Sequence, residues 1–427
     1  MSHWYSARVK TACVAIVAGL AILASPIASA FDAPQIAAKI KAARPKVRDP
    51  AGWANDILGA LQAHNLPQTP ENVCALVAII DQESAFSANP SVPNLGKVSE
   101  KAVIAKLNQH PILGGQASTF LAQYPNPRNS FMQRIRHAKT ERDLDWAYRD
   151  LTAGIAQEYK LSFLMNSDFA RDFIESQNEI NTLGPMQVDV NFAVQHEAAR
   201  RGRALSLQEI YQLRDALYTR KGGLYYGTLL LLGYETGYGK KLFRFADYNA
   251  GRYTSRNAAF QTVVGALAKL PIATDGDLLM YEKGSVSSAV SNTEQAVRIV
   301  ADKYGLILPN QRIRSDLMQE KTLGFNSTST YKTVMQAYQL VKKAAPPYAV
   351  VPRITLHSEK TSRILTTERF ANMVNKRYQR CLAQPEGVVS QAIPATVGKS
   401  LSPAVPAATD QRPAPSFLQD WVNLPAI

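Results

Sequence analysis

The sequence predicts a mainly α fold. From about Pro50 to Leu270 apolar residues recur at three- and four-residue spacing, as in Trp53, Ile57 and Leu61, and alternating runs are few. Helix-starting signals also punctuate the chain, the strongest being Thr69-Pro70-Glu71, an N-cap followed by a first-turn proline. That signal opens the run Val73 to Ile80, which is apolar almost all the way round and therefore predicts a helix buried on most sides.

Taken in order, residues 1–30 read as a secretory signal peptide. Arg8 and Lys10 precede an apolar stretch from Thr11 to Ile27, and Ala28-Ser29-Ala30 offers a small-residue cleavage site. Mature chain would begin near Phe31, with an export destination in the periplasm or at the cell wall. An uncleaved anchor is the alternative, and no second stretch has the length to cross a bilayer. Cys13 lies before the core of that stretch rather than just after it, the wrong place for a lipid-modified cysteine at the cleavage point. Residues 31–270 form the expected main domain. An insertion over about 88–180 carries its own helices and a mixture of arginines and aromatics around Arg128, Phe131, Arg134, Arg136 and His137. A solvated helix face is the simpler account of that mixture, a groove for a charged polymer the sharper one. Further helices follow from Thr140 ahead of Glu141 and Asp143, from the stretch Val190 to Arg201 stopped by Gly202, and from the capping box Ser206-Leu207-Gln208-Glu209. Residues 271–382 predict a C-terminal helical extension, with long helices at about 330–343 and 366–382, and 383–427 read as a disordered Pro/Ala-rich tail.

The formal charge of +14 falls to +12 once Arg8 and Lys10 leave with the signal peptide. Such a basic exported chain favours polyanions, the carboxylate-bearing wall among them, or else solvates its helix faces with lysine and arginine. Nucleic acid is not the expected partner, and protein partners and oligomeric state are not legible. Cys74 and Cys381 survive export. They either pair in an oxidising compartment or remain, respectively, a small core residue and a free thiol. No His/Cys cluster has metal-ligand spacing, no glycine-rich phosphate loop follows a strand and no nucleophile-elbow string occurs, so neither metal nor organic cofactor is expected.

Three strings carry the chemistry: Asp81-Gln82-Glu83-Ser84-Ala85-Phe86, Gly184-Pro185-Met186-Gln187-Val188 and Asp247-Tyr248-Asn249-Ala250-Gly251. Glu83 ends the apolar helix. Partial desolvation and the negative helix pole both favour its protonated form, the state a proton donor to a glycosidic oxygen needs. Glu83-Ser84-x-Phe86, Gly184-x-Met186-Gln187-Val188 and Tyr248-Asn249-Ala250-Gly251, with a helix like that of Gly222 to Leu230 between the last two, resemble the soluble lytic transglycosylases and goose-type lysozymes over about a third of the chain.

The resemblance implies a lysozyme-like core and cleavage of the bond between N-acetylmuramic acid and N-acetylglucosamine in peptidoglycan glycan strands. Glu83 would be the sole general acid and base, closing a 1,6-anhydro ring. Ser84 would bind substrate or orient the carboxyl, its local alternative being to terminate the helix. Met186 and Gln187 would line the groove, Met186 otherwise packing in the core. Tyr248 would approach Glu83, and Asn249 would bind sugar or brace the turn. The chain departs from the family at Pro185, at Asp247 and in the long gap after the first string. Asp189 and Asp247 are second-carboxylate candidates; if either faced the cleft, water activation and a muramidase-type hydrolysis would return. Glu175 and Glu179 are rival acids, and a non-catalytic wall-binding protein is the third reading.

Overall fold

The computed structural model describes residues 31–108, 116–158, 160, 178, 180–282, 284–356 and 365–385. The expected signal peptide, the rival acids Glu175 and Glu179, and the tail beyond 385 lie outside the described residues. Sixteen α-helices dominate the described residues. The first seven are α1 (Ala33–Ala43), α2 (Pro50–Ala63), α3 (Pro70–Glu83), α4 (Leu95–Asn108), α5 (Ala117–Gln123), α6 (Phe131–His137) and α7 (Glu141–Glu158). A two-residue hairpin, β1 (Thr182–Leu183) and β2 (Val188–Asp189), separates them from α8 (Val190–Arg201), α9 (Leu207–Leu217), α10 (Arg220–Leu232), α11 (Lys241–Ala250) and α12 (Thr254–Ala268). After the hairpin β3 (Tyr281–Glu282) and β4 (Ser285–Val286) come α13 (Asn292–Lys303), α14 (Asn310–Leu317) and α15 (Ser329–Lys342); the hairpin β5 (Thr355–Leu356) and β6 (Leu365–Thr366) then leads into α16 (Thr367–Ala383). All three hairpins are antiparallel. None of the described helices is long and apolar enough to cross a membrane.

α3 is the central element, and its sequence explains why. Thr69 accepts from the Asn72 amide, Pro70 occupies the first turn, and every residue from Asn72 to Asp81 is buried. Such a helix is held by neighbours on all sides. α16 runs antiparallel along it, with Cys381 disulfide-bonded to Cys74 and Arg377, one turn earlier, donating to Asp81 at 3.0 Å. Lys39 of α1, itself buried, closes the far end of α16 by donating to the carbonyls of Cys381 and Gln384.

The predicted C-terminal extension does not hold together as one unit. Residues of α12 to α15, among them Phe260, Val264, Val297, Ile313 and Val334, make a second core, whereas Phe370, Val374, Tyr378 and Cys381 of α16 belong to the first. The amphipathic spacing of α16 specifies a buried face without specifying which neighbour covers it. The insertion likewise builds a small core of its own around Leu121, Phe131, Ile135 and Leu151. Its base is pinned where Ser91 bridges Thr140 and the Val92 amide donates to the Lys139 carbonyl at 2.8 Å. Phe131 is buried, Arg134 pairs with Asp150 and Arg136 with Glu100, so the basic-aromatic string is a small core with paired charges around it.

Candidate functional site

The three strings meet. Glu83 stands at the last turn of α3, and Tyr248 lies close enough to it that the Glu83 charge raises the phenol further above its ordinary range, on top of the larger effect of burial. The Tyr248 hydroxyl donates to the Met186 carbonyl at 2.6 Å, which ties the third string to the second. Each string also turns through left-handed backbone: Ala85 and Phe86 after Glu83, Gly184 and Gln187 in the hairpin, Gly251 and Tyr253 after α11. For a phenylalanine such a conformation is a genuine outlier. Phe86 is held there by burial and an edge-to-face contact with Trp53, ring centroids 5.4 Å apart. Strain kept by surrounding packing is characteristic of functional loops.

Glu83 has the electrostatics of a proton donor. Burial of its carboxyl pushes the pKa up to about 8, while the Arg377 guanidinium pulls the other way. The residue as a whole retains partial exposure. Among the described residues it makes no hydrogen bond or ion pair, unlike Asp81 two residues earlier, which is bound by both Arg44 and Arg377.

The hairpin is positioned by glycines in α10. A Cβ on Gly223 would stand 2.4 Å from Pro185 Cδ, and one on Gly227 2.3 Å from Met186 Sδ. The pair forms a notch, one turn long, that receives Pro185 and Met186. On the other flank, a Cβ on Gly184, at φ 75°, would meet the Leu217 carbonyl oxygen at 1.9 Å. The departure at Pro185 therefore has a structural explanation: its ring fills the space over Gly223.

Several expected sugar contacts are engaged elsewhere. Met186 is fully buried, so it is core and not groove wall. The Ser84 hydroxyl donates to the Ile80 carbonyl at 3.1 Å, ending the helix and not orienting the carboxyl. Asn249 accepts from Thr367 at 2.8 Å and braces α16. Asp247 is fully buried and accepts from the hydroxyls of Tyr234, Tyr238 and Thr254 and from the amides of Tyr253 and Ser255. It organises the turn between α11 and α12 and cannot serve a water molecule in a cleft. Asp189 caps α8, accepting from Phe192 at 2.8 Å, and burial raises its carboxyl above the ordinary range. Gln187 remains half-buried, its amide accepting from Thr182 at 3.0 Å and donating to Glu141 and Gly184 at the longer distances of 3.4 and 3.3 Å.

Two residues near the strings escaped the sequence reading. Arg377 reaches Glu83 from the far end of the chain; the cysteine pair was its one signal, because an antiparallel helix joined at Cys381 brings its preceding turn toward Asp81. Glu141, which receives the Gln187 amide, gave none. An open pocket of about 530 Å³ lies elsewhere, at the other end of α3, and none of the three strings' residues from Asp81 to Phe86, Gly184 to Val188 or Asp247 to Gly251 lines it.

Fold and site together define a mainly helical protein in which Tyr248, bonded to the strained hairpin turn, lies beside one carboxyl that makes no hydrogen bond or ion pair among the described residues. The model of the family described as "Protein of unknown function (DUF1615)" matches residues 46–384, and the chain belongs to that family. It is similar to the uncharacterized protein YaiW of Escherichia coli strain K12, with 33% identity over 374 residues, covering 87% of this chain and 96% of that protein. No solved structure matches.

Proposed function

We propose that the protein is an exported lytic transglycosylase that cleaves peptidoglycan between N-acetylmuramic acid and N-acetylglucosamine. The observation that carries this reading is the Glu83 carboxyl, raised to about 8 by burial, without an internal partner, beside Tyr248 and the Met186-Gln187 turn. In the first half of the reaction Glu83 gives its proton to the glycosidic oxygen as the bond from the anomeric carbon breaks. In the second, the Glu83 carboxylate takes the proton of the muramic acid 6-hydroxyl while that oxygen bonds to the anomeric carbon, and the acid is restored. One carboxylate suffices because the nucleophile is already tethered to the reacting sugar, with a large effective molarity. The engagement of Asp247 and Asp189 in structural hydrogen bonds favours this over hydrolysis, which needs a second carboxylate to activate water. Gln187 is the residue offered for the N-acetyl group, through an amide only loosely engaged.

The test is mass spectrometry of wall digests. Wild-type protein is expected to release 1,6-anhydro muropeptides, and Glu83→Gln to release at least about a hundredfold less, the scale of a lost general acid. Products that gain water and carry a reducing end would replace the transglycosylase with a muramidase. Unchanged wall lysis by Glu83→Gln would remove Glu83 from the chemistry altogether.

A further inference from the structure

The open pocket of about 530 Å³ lies between the first turn of α11 and the middle of α16, with Glu71 of α3 among its lining residues. Its volume is that of pockets that take small molecules. Glu71 and Glu83 stand at opposite ends of α3, about 18 Å apart along the helix axis, so the pocket is separate from the carboxyl discussed above and its reading does not depend on cell-wall cleavage.

Its charge is unbalanced. Lys240, Lys241 and Arg244 face the space against the single carboxylate of Glu71. Lys240 makes no hydrogen bond or ion pair among the described residues. Lys241 donates to Asn72 Oδ1 at 2.8 Å, a neutral acceptor, and the Glu71 carboxylate is the one opposite charge acting on it. Arg244 is fixed by the carbonyls of Leu231 and Tyr234 at 3.1 and 3.0 Å and lies over the Tyr234 ring, again without a carboxylate. Burial, and then the neighbouring Arg244, bring the Lys241 ammonium down to about 8, the mark of cations crowded together in partly desolvated space. α11 begins at this same place, and its cap residue Lys240 offers no side-chain acceptor to the first amides. Those amides and the positive helix pole add to the demand for an anion.

The rest of the lining is neutral and suited to a polyhydroxylated body. Tyr238 and Tyr378 present ring surface, and the amides of Asn375 and Gln379 supply donors and acceptors. The excess of about two positive charges matches a phosphomonoester dianion better than a single carboxylate, and lysines with helix amides bind phosphate as point charges. We propose that this pocket binds a phosphorylated sugar, its phosphate set against Lys240, Lys241 and the start of α11, its ring against the tyrosines and amides.

Isothermal titration of the full chain at 0.15 M salt with glucose 6-phosphate, N-acetylglucosamine 1-phosphate, glucose and inorganic phosphate tests this. Saturable binding is expected for at least one sugar phosphate, at least tenfold tighter than for inorganic phosphate, with none for glucose. Lys240→Ala and Lys241→Met should each weaken it tenfold or more. Lys240 is exposed and makes no internal contact of its own, so its variant is expected to keep the wild-type melting temperature and reports on binding alone. No saturable binding of either sugar phosphate, or wild-type affinity in Lys240→Ala, overturns the site; equal affinity for inorganic phosphate overturns its sugar half.

Discussion

At the scale of single residues, Glu83 determines how stability responds to pH. In the unfolded chain its proton is lost near 4.5, whereas the folded protein holds it to about 8. Between those values the native state binds more protons than the unfolded one, so this residue makes stability fall as pH rises from about 4.5 to about 8, with no further loss above. Glu83→Gln removes the titration. The variant is expected to match wild type near pH 4 and to exceed it by ~3 kcal/mol at pH 8, a value discounted from ~1.4 kcal/mol per pH unit because the residue keeps some exposure. Urea unfolding of both proteins at several pH values gives the difference directly; a constant gap across the range would mean an ordinary, wetted carboxylate. Asp247 is also raised by burial but differs in its partners, being a carboxylate satisfied by five donors that pull the other way. Asp247→Asn replaces one accepting oxygen by a donor in a fully buried site and is expected to cost about 2–3 kcal/mol in the same assay. A cost under about 0.5 kcal/mol would show the turn after α11 to be held by something else.

At the scale of elements, what was local could be read and what was mutual could not. The helices expected at about 190–201, 330–343 and 366–382 form as Val190–Arg201, Ser329–Lys342 and Thr367–Ala383. The Ser206 capping box and the stop at Gly202, φ 67°, are where their side chains require. Caps and glycine stops act within one turn, so the sequence carries them whole. Met186 could not be placed the same way, because its burial depends on a notch in another helix. That notch was visible only as two glycines, Gly223 and Gly227, one turn apart, which could as well have marked a weak helix. Gly227→Ala is therefore expected to destabilise by about 1–3 kcal/mol, through overpacking against Met186, despite alanine's better helix propensity. Because Tyr248 is bonded to the Met186 carbonyl, the same change should lower the proposed wall-cleaving activity beyond the loss of folded protein. An alanine variant at Gly227 that is more stable than wild type would mean that the hairpin does not rest on this face.

For the molecule as a whole, the decisive arrangement is the return of α16 across the chain to α3. The described residues form three separate cores, one in the insertion, one in α12 to α15 and the main one, which holds that contact. Only the main core contains both ends of the described chain, Phe31 and Cys381. Sequence order gave no hint of this, since α16 follows the second core directly and its buried face fits any apolar neighbour. The bond between Cys74 and Cys381 makes the choice permanent by closing a loop of 307 residues. In the chain-entropy account, long loops gain most from closure, and removing a native bridge costs about 2–5 kcal/mol. Cys74→Ala with Cys381→Ala is expected to lower the unfolding free energy by that amount. The loss should also be local, because the remaining ties of α16 to α3 are the Arg377–Asp81 pair and apolar packing, while α12 to α15 keep every contact of their own core. Hydrogen exchange should accelerate in residues 367–383 well before residues 292–342. A variant in which residues 367–383 keep wild-type protection would show that packing alone seats the last helix, and that the disulfide is incidental to it.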